Sequence, residues 1–425
     1  MRTISADWVV PIEGDPIELG AVAIADDGTI AAVGTSQDLG QGEHHEGCVI
    51  IPGLVNAHSH LEYAVYAGFG DGLPFVPWIG LHIQRKDALD FGDMTEIATL
   101  GAYESLRSGV TTVGDCSFSG ATALAAAATG LRALVYLEVF SGDGEPLDRF
   151  HESRERIEHV ISDRVLLGVS PHAPFTCTIE LYRACAELGI PQATHFAESA
   201  AERDWLVDGK GDWSPLARFL APPPGQTGIR MLAEAGLLGA GLTAAHCVHV
   251  DAEEVDLLAR HGVGVAHCPR SNGYLGCGVA PLEELRSAGV SLSIGTDSPA
   301  SAPSLDMFEE IRTAIVGARA RARRPDALPA SVALELATLG GARVLGLDDR
   351  IGSLAPGKQA DLTVISLAGS PVDPVEDPVI AAVLGGSPDR VTATLVAGDT
   401  RYAKGTSAWP DSRRAARRAR SKMLP

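Results

Sequence analysis

Histidines and carboxylates that follow short apolar segments are the residues best suited to bind a metal ion or to act in catalysis. His58 and His60 end the apolar segment that begins at Pro52. Because they are two residues apart on an extended chain, their imidazoles point to the same side, where both can bind one metal ion. His195, His246 and Asp297 stand at similar positions further along the chain. Such an ordered set indicates a metal site, although each residue alone would more often be a satisfied polar group.

The elements that must position these residues are marked by glycines. Helical runs end at a glycine and pass directly into a β-branched apolar stretch, as expected for a helix C-cap that leads into a buried strand. This happens at six glycines: Gly109, Gly130, Gly189, Gly241, Gly262 and Gly289. Two further apolar runs, at 49–56 and 165–170, bring the number of predicted strands to eight.

Eight strands that alternate with helices over about 250 residues predict an α/β fold, a (β/α)8 TIM barrel. A glycine-containing turn at 26–28 joins two strand-like runs into a predicted hairpin, and similar runs occur at 360–366 and 391–397. We therefore expect both termini, 1–50 and 349–411, to form a small β-sandwich domain beside a catalytic barrel at 51–348. A basic tail follows at 412–425.

Polar residues stand where the barrel strands end, at the face on which barrel enzymes build their sites. Residues 199–236 are polar, carry three successive prolines and interrupt the barrel after its fifth strand. This segment is either a lid over the barrel mouth or a surface excursion.

The charge distribution argues against a nucleic-acid partner. The formal net charge is −20, and the tail contributes six positive charges, so the first 411 residues carry −26. The tail is interpreted as a short exposed helix or a frayed end in preference to an anchor for anionic surfaces, and no function is assigned to it.

The seven cysteines are predicted to be reduced core thiols, because their number is odd and their spacing irregular. The first ten residues lack the apolar run of a signal peptide, and no uninterrupted apolar stretch approaches 18 residues. We therefore expect a cytoplasmic protein with no membrane partner.

The motifs PGLVNAHSH, THFAES, AHCVHV, VAHCPRSN, SIGTDSPAS and GSLAPGKQADLTVI, in this order, resemble the amidohydrolase superfamily over essentially the whole chain. The similarity is to the branch of adenosylhomocysteine and methylthioadenosine deaminases, triazine hydrolases and guanine deaminase. It implies an enzyme, a metal-dependent hydrolase of C–N bonds. Four residues would bind one divalent ion: His58, His60, His195 and Asp297.

The resemblance also implies the catalytic roles. Three neutral imidazoles and one carboxylate suit Zn²⁺, the first choice, with Fe²⁺ or Mn²⁺ as alternatives, and leave a position for water. Asp297 would accept the proton of the attacking water, His246 would orient that water, and Glu198 would protonate the ring nitrogen and the leaving amine. The fourth strand ends without the lysine that typically bridges two metals in this superfamily, which favours one metal.

The substrate is predicted to be a small molecule, a 6-aminopurine nucleoside. His172, Trp78, Glu62 and Glu138 fall where the pocket should be and are the candidate substrate contacts. The run 58–63, followed by the run 74–79, is similar to deaminases of 6-amino-6-deoxyfutalosine in menaquinone biosynthesis, the first substrate hypothesis. The alternatives are S-adenosylhomocysteine or 5'-methylthioadenosine, then guanine or a chlorotriazine, and last a non-catalytic scaffold. Relatives are often dimers or larger, so a homodimer stays open.

Overall fold

The computed structural model describes residues 1–142, 144–145, 147–406 and 409–424. The strands within these residues form two separate sheets of eight. In chain order they are β1 (Arg2–Val9), β2 (Ile17–Glu18), β3 (Gly20–Ile24), β4 (Ile30–Thr35), β5 (Glu43–Pro52), β6 (Leu54–Ser59), β7 (Val110–Ser117), β8 (Arg132–Val139), β9 (Val165–Pro171), β10 (Gln192–Phe196), β11 (Leu242–His246), β12 (Gly264–His267), β13 (Ser291–Ile294), β14 (Leu362–Ser366), β15 (Val391–Val396) and β16 (Asp399–Ala403).

Most of the helices in the described residues connect the strands of the parallel sheet, whereas α1 and α15 connect strands of the other sheet and α16 follows the last strand. They are α1 (Ser36–Leu39), α2 (Phe75–Lys86), α3 (Phe91–Arg107), α4 (Ala121–Thr129), α5 (Asp148–Ile157), α6 (Ile179–Glu187), α7 (Ala200–Asp208), α8 (Gly228–Glu234), α9 (Ala252–His261), α10 (Pro269–Tyr274), α11 (Leu282–Ser287), α12 (Met307–Ala322), α13 (Ala330–Glu335), α14 (Gly341–Val344), α15 (Pro378–Gly385) and α16 (Trp409–Lys422). Short 3₁₀ turns at Leu61–Tyr63 and Ser214–Phe219 follow strand ends or lie in loops.

Strands β6 to β13 are the predicted barrel. They pair in parallel and in sequence order, and a parallel bridge between Ser59 and Asp297 joins the last strand to the first. Gly295 permits this closure, because a Cβ atom there would lie 2.8 Å from the carbonyl oxygen of His58. Strands β7 and β8 are buried along their whole length, as expected for strands covered on both faces.

The strands of both termini meet in the second sheet, which confirms the predicted union of the two ends of the chain. Its order is β16-β15-β14-β5-β1-β3-β4, with β2 paired to β1. One strand prediction was wrong: the run 49–56 is not a single barrel strand. It is divided at Gly53, where a Cβ atom would lie 2.1 Å from Oγ1 of Thr111. The part before Gly53 ends β5 in the terminal sheet, and the part after it is β6 of the barrel.

A buried ion pair connects the two sheets. The guanidinium of Arg132 on β8 contacts both carboxylate oxygens of Asp361, just before β14, at 3.2 and 3.3 Å. Both residues are almost completely buried. Asp361 also accepts a hydrogen bond from the amide of Ala397 at 2.8 Å. The barrel and the terminal sheet are therefore fixed to each other by charge as well as by packing.

The structure defines the positions of two segments whose placement the sequence did not predict. The segment 199–236 brings Trp213, Leu216 and Phe219 to the cavity at the barrel mouth, so it covers the site. The tail, described to residue 424, forms the helix α16, but it is not a free exposed end: Ala416 and Ala419 are buried against α3 and the loop after β6.

The thiol prediction is confirmed, since all seven cysteines are buried and none forms a disulfide. Within the part of the chain that the structure describes, no helix is long and apolar enough to span a bilayer.

Candidate active site

Side chains from the carboxyl ends of three barrel strands converge on one point. His58 lies on β6 and His60 follows it directly, His195 lies on β10, and Asp297 follows β13. Oδ1 of Asp297 lies 3.7 Å from Nε2 of His58 and 3.4 Å from Nε2 of His60, and the Nε2 atoms of His60 and His195 are 3.4 Å apart. The structure thus brings the four predicted metal ligands together.

The ring orientations of two histidines are fixed by backbone carbonyls. Nδ1 of His60 donates to the carbonyl oxygen of Cys116 at 2.8 Å, and Nδ1 of His195 donates to that of His172 at 2.6 Å. This leaves each Nε2 free of a proton and directed at the cluster, the arrangement that orients metal-binding histidines in proteins.

Asp297 is held by two hydroxyls and by an unusual backbone. Ser271 and Ser301 each donate to its Oδ2 at 2.6 Å, which leaves Oδ1 to face the histidines. Asp297 has φ of 55° and His246 has φ of 71°. Left-handed conformations are costly for residues other than glycine, and such strain concentrates at functional sites.

Glu198 and His246 form the second part of the site. Oε1 of Glu198 lies 3.7 Å from Nε2 of His246. Glu202 accepts the amides of Ala197 and Glu198 at 2.9 and 2.8 Å, so it fixes the backbone from which the Glu198 side chain extends. Nδ1 of His246 lies 2.9 Å from Oδ1 of Asn272.

Burial keeps the metal-facing imidazoles neutral, as a metal ligand must be. Burial lowers the pKa of His60 to about 3 and lowers the pKa of His195 well below its usual value. Although burial opposes ionisation of Asp297, the proximity of His58, His60 and His246 holds the pKa of that carboxyl well below its ordinary range. Burial raises the pKa of Glu198 to about 7.

The donor set fits a divalent metal ion. His58, His60 and Asp297 offer ligand atoms that all lie within 4.8 Å of one another, and so do His58, His195 and His246. Nε2 of His58 and Nε2 of His246 are buried and have no hydrogen-bond partner among the described residues. Buried polar atoms without a partner are costly, and a metal ion with its water would satisfy them.

A cavity of about 540 Å³ opens from this cluster. Three of the four predicted substrate contacts line it: His172, Trp78 and Glu138. His172 is fixed by a 2.8 Å contact between its Nδ1 and Oγ1 of Thr176, and burial lowers its pKa to about 3, so it presents a neutral ring. Burial raises the pKa of Glu138 to about 8.

The fourth prediction, Glu62 as a substrate contact, is corrected by its hydrogen bonds. Its carboxylate accepts the hydroxyls of Ser117 and Ser119 and the amides of Ser119 and Ala121. These groups surround the start of α4, whose first amides have no partner within the helix. Glu62 does not belong to the cavity lining, so it is a helix cap inside the barrel wall.

Several cavity residues were not identified from the sequence. Helix α2 turns one face to the cavity, and besides the predicted Trp78 this face carries Phe75, Ile79, His82, Ile83 and Lys86. The only signal was the apolar spacing on one helical face, which is also typical of ordinary core residues. Ser271, Asn272 and Ser301 lie inside motifs that carried the family resemblance, but their roles depend on contacts that only the fold reveals.

The comparisons with known proteins agree with this geometry. The model of the amidohydrolase family matches residues 49–401. The 5-methylthioadenosine/S-adenosylhomocysteine deaminase of Syntrophobacter fumaroxidans is 35% identical over 405 residues, which cover 91% of this chain and 89% of the relative. The 5'-deoxyadenosine deaminase of Methanothermobacter thermautotrophicus is 34% identical over 402 residues, covering 91% of this chain and 90% of the relative.

Solved structures share the whole fold. An adenosine deaminase from Xanthomonas campestris with bound zinc is 31% identical and superimposes with a TM-score of 0.87 over 99% of this chain and 98% of that chain. Atrazine chlorohydrolase from Arthrobacter aurescens, complexed with zinc, has a TM-score of 0.83 at 24% identity and covers 100% of both chains, which is a likeness of fold alone. With a family match across most of its length and relatives above 30% identity, this chain belongs to the amidohydrolase family.

Proposed function

We propose that the protein is a metal-dependent deaminase of 5'-substituted adenine nucleosides, with 5'-methylthioadenosine and S-adenosylhomocysteine as its substrates. The observation that carries the proposal is the position of Glu198, a buried carboxyl 3.7 Å from His246. Its pKa, raised by burial to about 7, lets it hold a proton near neutral pH. Replacing an amino group on an aromatic ring requires such a proton at the ring nitrogen.

Each residue of the cluster then has a definable task. A divalent ion held by His58, His60, His195 and Asp297 would lower the pKa of water and so supply a nucleophile near neutral pH. Glu198 donates its proton to the ring nitrogen next to the attacked carbon. Asp297 accepts a proton from the attacking water through Oδ1, which its serine partners leave free.

The second half of the reaction returns the groups to their starting state. Glu198 takes the remaining proton of the attacking water and passes it to the exocyclic amine. The C–N bond then breaks, ammonia leaves and the oxygen from water becomes the new carbonyl group, while the proton held by Asp297 returns to Glu198. His246, whose ring is fixed by Asn272, orients the attacking water by accepting a hydrogen bond from it at Nε2.

The choice of substrate rests on the relatives and on the size of the cavity. Names of relatives at 35% identity support methylthioadenosine and adenosylhomocysteine over aminodeoxyfutalosine, so the comparisons favour the alternative over our first sequence hypothesis. A cavity of about 540 Å³ with aromatic walls has room for a purine, a ribose and a 5' substituent. The link to menaquinone biosynthesis has no support from the comparisons.

The test is ammonia release by zinc-loaded protein from a panel of compounds. The panel holds methylthioadenosine, adenosylhomocysteine, 5'-deoxyadenosine, adenosine and aminodeoxyfutalosine, with guanine and a chlorotriazine as comparators. We expect kcat/KM of about 10⁴ M⁻¹s⁻¹ or more for a 5'-substituted nucleoside. The Glu198→Gln variant, which keeps the size of the side chain but not its proton, is the matched control.

The possible results are distinct. Highest activity on guanine or on the chlorotriazine would overturn the substrate proposal. Highest activity on aminodeoxyfutalosine would restore our first hypothesis. If protein that contains one metal ion per chain releases no ammonia from any compound of the panel, the proposal of nucleoside deamination is itself overturned.

A further inference from the structure

The helix α16 lies against the part of the chain that forms one wall of the cavity. Between β6 and α2 the chain runs through 64–74, in which Gly68, Gly70 and Gly72 all have positive φ values of 76° to 83°. A loop with three such glycines has little conformational preference of its own. The position of α2, which follows directly, therefore depends on contacts from elsewhere in the fold.

One arginine of α16 supplies several of these contacts. Nη1 of Arg420 donates to the carbonyl oxygen of Val65 at 2.7 Å, and Nη2 donates to that of Ala67 at 3.2 Å. The guanidinium also lies over the ring of Phe69, 4.4 Å from its centroid. A single side chain thus binds three successive points of the loop.

The same ring joins α16 to α2. The guanidinium of Arg85, near the end of α2, lies 3.9 Å from the centroid of Phe69, and Arg85 also donates to the carbonyl oxygen of Met423. Cation–π contacts of this kind are attractive, and hydrogen bonds from charged groups are stronger than neutral ones. Phe69 therefore connects a residue of α16 with a residue of the cavity-lining helix.

Charge and apolar contacts fix α16 itself to α3. Nζ of Lys422 lies 2.6 Å from Oδ2 of Asp93, and Nη2 of Arg413 lies 2.7 Å from Oε1 of Glu104. Beneath these pairs, Ala416, Ala419 and Met423 pack in one cluster with Val65, Tyr66, Ile97 and Leu100. The helix is thus anchored on one side by α3 and contacts the loop on the other.

One face of α2 lines the substrate cavity. Trp78, His82 and Lys86, spaced one helical turn apart, all line it. The ring of Tyr66, which packs against α16, is 5.6 Å from that of His82. A shift of α2 would therefore move the wall that faces the metal cluster without displacing the metal ligands.

We propose that Arg420 is a positioning residue, which together with Phe69 and Arg85 holds α2 in place and so determines how the cavity binds its substrate. The role concerns binding more than chemistry, because the metal ligands lie on the barrel strands. The kinetic part of this inference rests on the proposed function; the structural part does not.

The test compares Arg420→Ala, Arg420→Lys and Arg417→Ala in the full-length, zinc-loaded protein. Arg417 is the matched control, an exposed arginine of the same helix. Amide hydrogen exchange over 64–86 should become at least about tenfold faster in Arg420→Ala, because even one of the two charged hydrogen bonds lost contributes that much. Arg420→Lys should give a smaller change and Arg417→Ala none.

Kinetics with the best nucleoside of the panel give the second measurement. KM should rise about tenfold in Arg420→Ala while kcat changes less than about twofold, the pattern of lost binding without lost chemistry. Phe69→Leu, which keeps apolar volume but removes the ring between the two guanidinium groups, should change exchange and KM in the same direction. If Arg420→Ala does not fold, Phe69→Leu still tests the proposal.

Each result decides something. Unchanged exchange in both Arg420→Ala and Phe69→Leu overturns the positioning role. Faster exchange with an unchanged KM overturns the effect on substrate binding. If Arg420→Ala loses bound zinc and its kcat also falls, the role of Arg420 is a general structural one, and the proposal is overturned. If no nucleoside is a substrate, the exchange experiment still tests the positioning of α2, so the two proposals fail separately.

Discussion

His246 is oriented by Asn272, whose Oδ1 lies 2.9 Å from Nδ1 of the imidazole. Both residues are buried. An amide oxygen can only accept, so Nδ1 carries the proton and Nε2 faces Glu198 at 3.7 Å. Burial opposes protonation of His246, yet the charges of Glu198 and Asp297 raise its pKa above the usual value. The amide thus selects the imidazole atom that faces the reacting groups.

Removing this acceptor should impair turnover without removing metal. In Asn272→Ala the Nδ1–H loses its partner, and the ring can turn or change its tautomer. We expect kcat to fall about 10- to 100-fold, the usual cost of losing a partner that orients a site histidine, with one metal ion still bound per chain. Asn272→Asp keeps an acceptor oxygen and should recover most of the rate. Equal rates in the alanine variant and the parent enzyme would contradict the role of Asn272.

The metal cluster predicts a coupled loss of metal and activity. His195→Ala removes a ligand whose Nε2 is directed at the cluster, and Asp297→Asn removes the only carboxylate among the four predicted ligands. Both variants should lose bound zinc, as measured by elemental analysis after dialysis, and turnover with it. Chelation of the parent protein should abolish activity and added Zn²⁺ should restore it. A dialysed variant with full activity would rule out this ligand set.

Substitution of Glu198 should lower the catalytic rate without loss of bound metal. Glu198→Gln keeps the size of the side chain but cannot hold the transferable proton. Because general acid catalysis contributes about 10²- to 10⁴-fold, kcat should fall by that factor while zinc content stays at the parent value. Glu202→Gln, which keeps one acceptor for the amides of Ala197 and Glu198, should have a smaller effect. A parent-like rate in Glu198→Gln would remove this residue from the mechanism.

The sequence predicted those features that follow from strand geometry. His58, His60, His195 and Asp297 could be placed together because parallel barrel strands end at one face. Glu62 could not be interpreted correctly, since its partners are serine hydroxyls and backbone amides at and just before the start of α4, 55 to 59 residues further along the chain. The packing of α16 was not predicted either, because its basic residues meet acidic groups on α3 that only the tertiary structure brings near.

The buried ion pair between Arg132 and Asp361, which joins the two sheets, is expected to contribute to the stability of the protein. Both side chains are only 3% exposed, so removing one leaves the other charged and buried. Asp361→Ala should therefore destabilise the protein by about 3 to 5 kcal/mol, measured as a lower midpoint of urea unfolding for the zinc-loaded enzyme. Asp326→Ala, which removes an exposed partner of Arg324, is the control and should leave the midpoint unchanged.

A double variant distinguishes the contribution of the pair from the cost of an unpaired charge. Arg132→Met with Asp361→Leu replaces both charges by apolar groups, and such replacements are often close to neutral because the desolvation of both ions is also removed. We expect the double variant to unfold at a higher urea concentration than Asp361→Ala. If it is equally unstable, the decisive loss is the bond from the Ala397 amide to Asp361, and the terminal sheet is held by that backbone contact more than by the charge of Arg132.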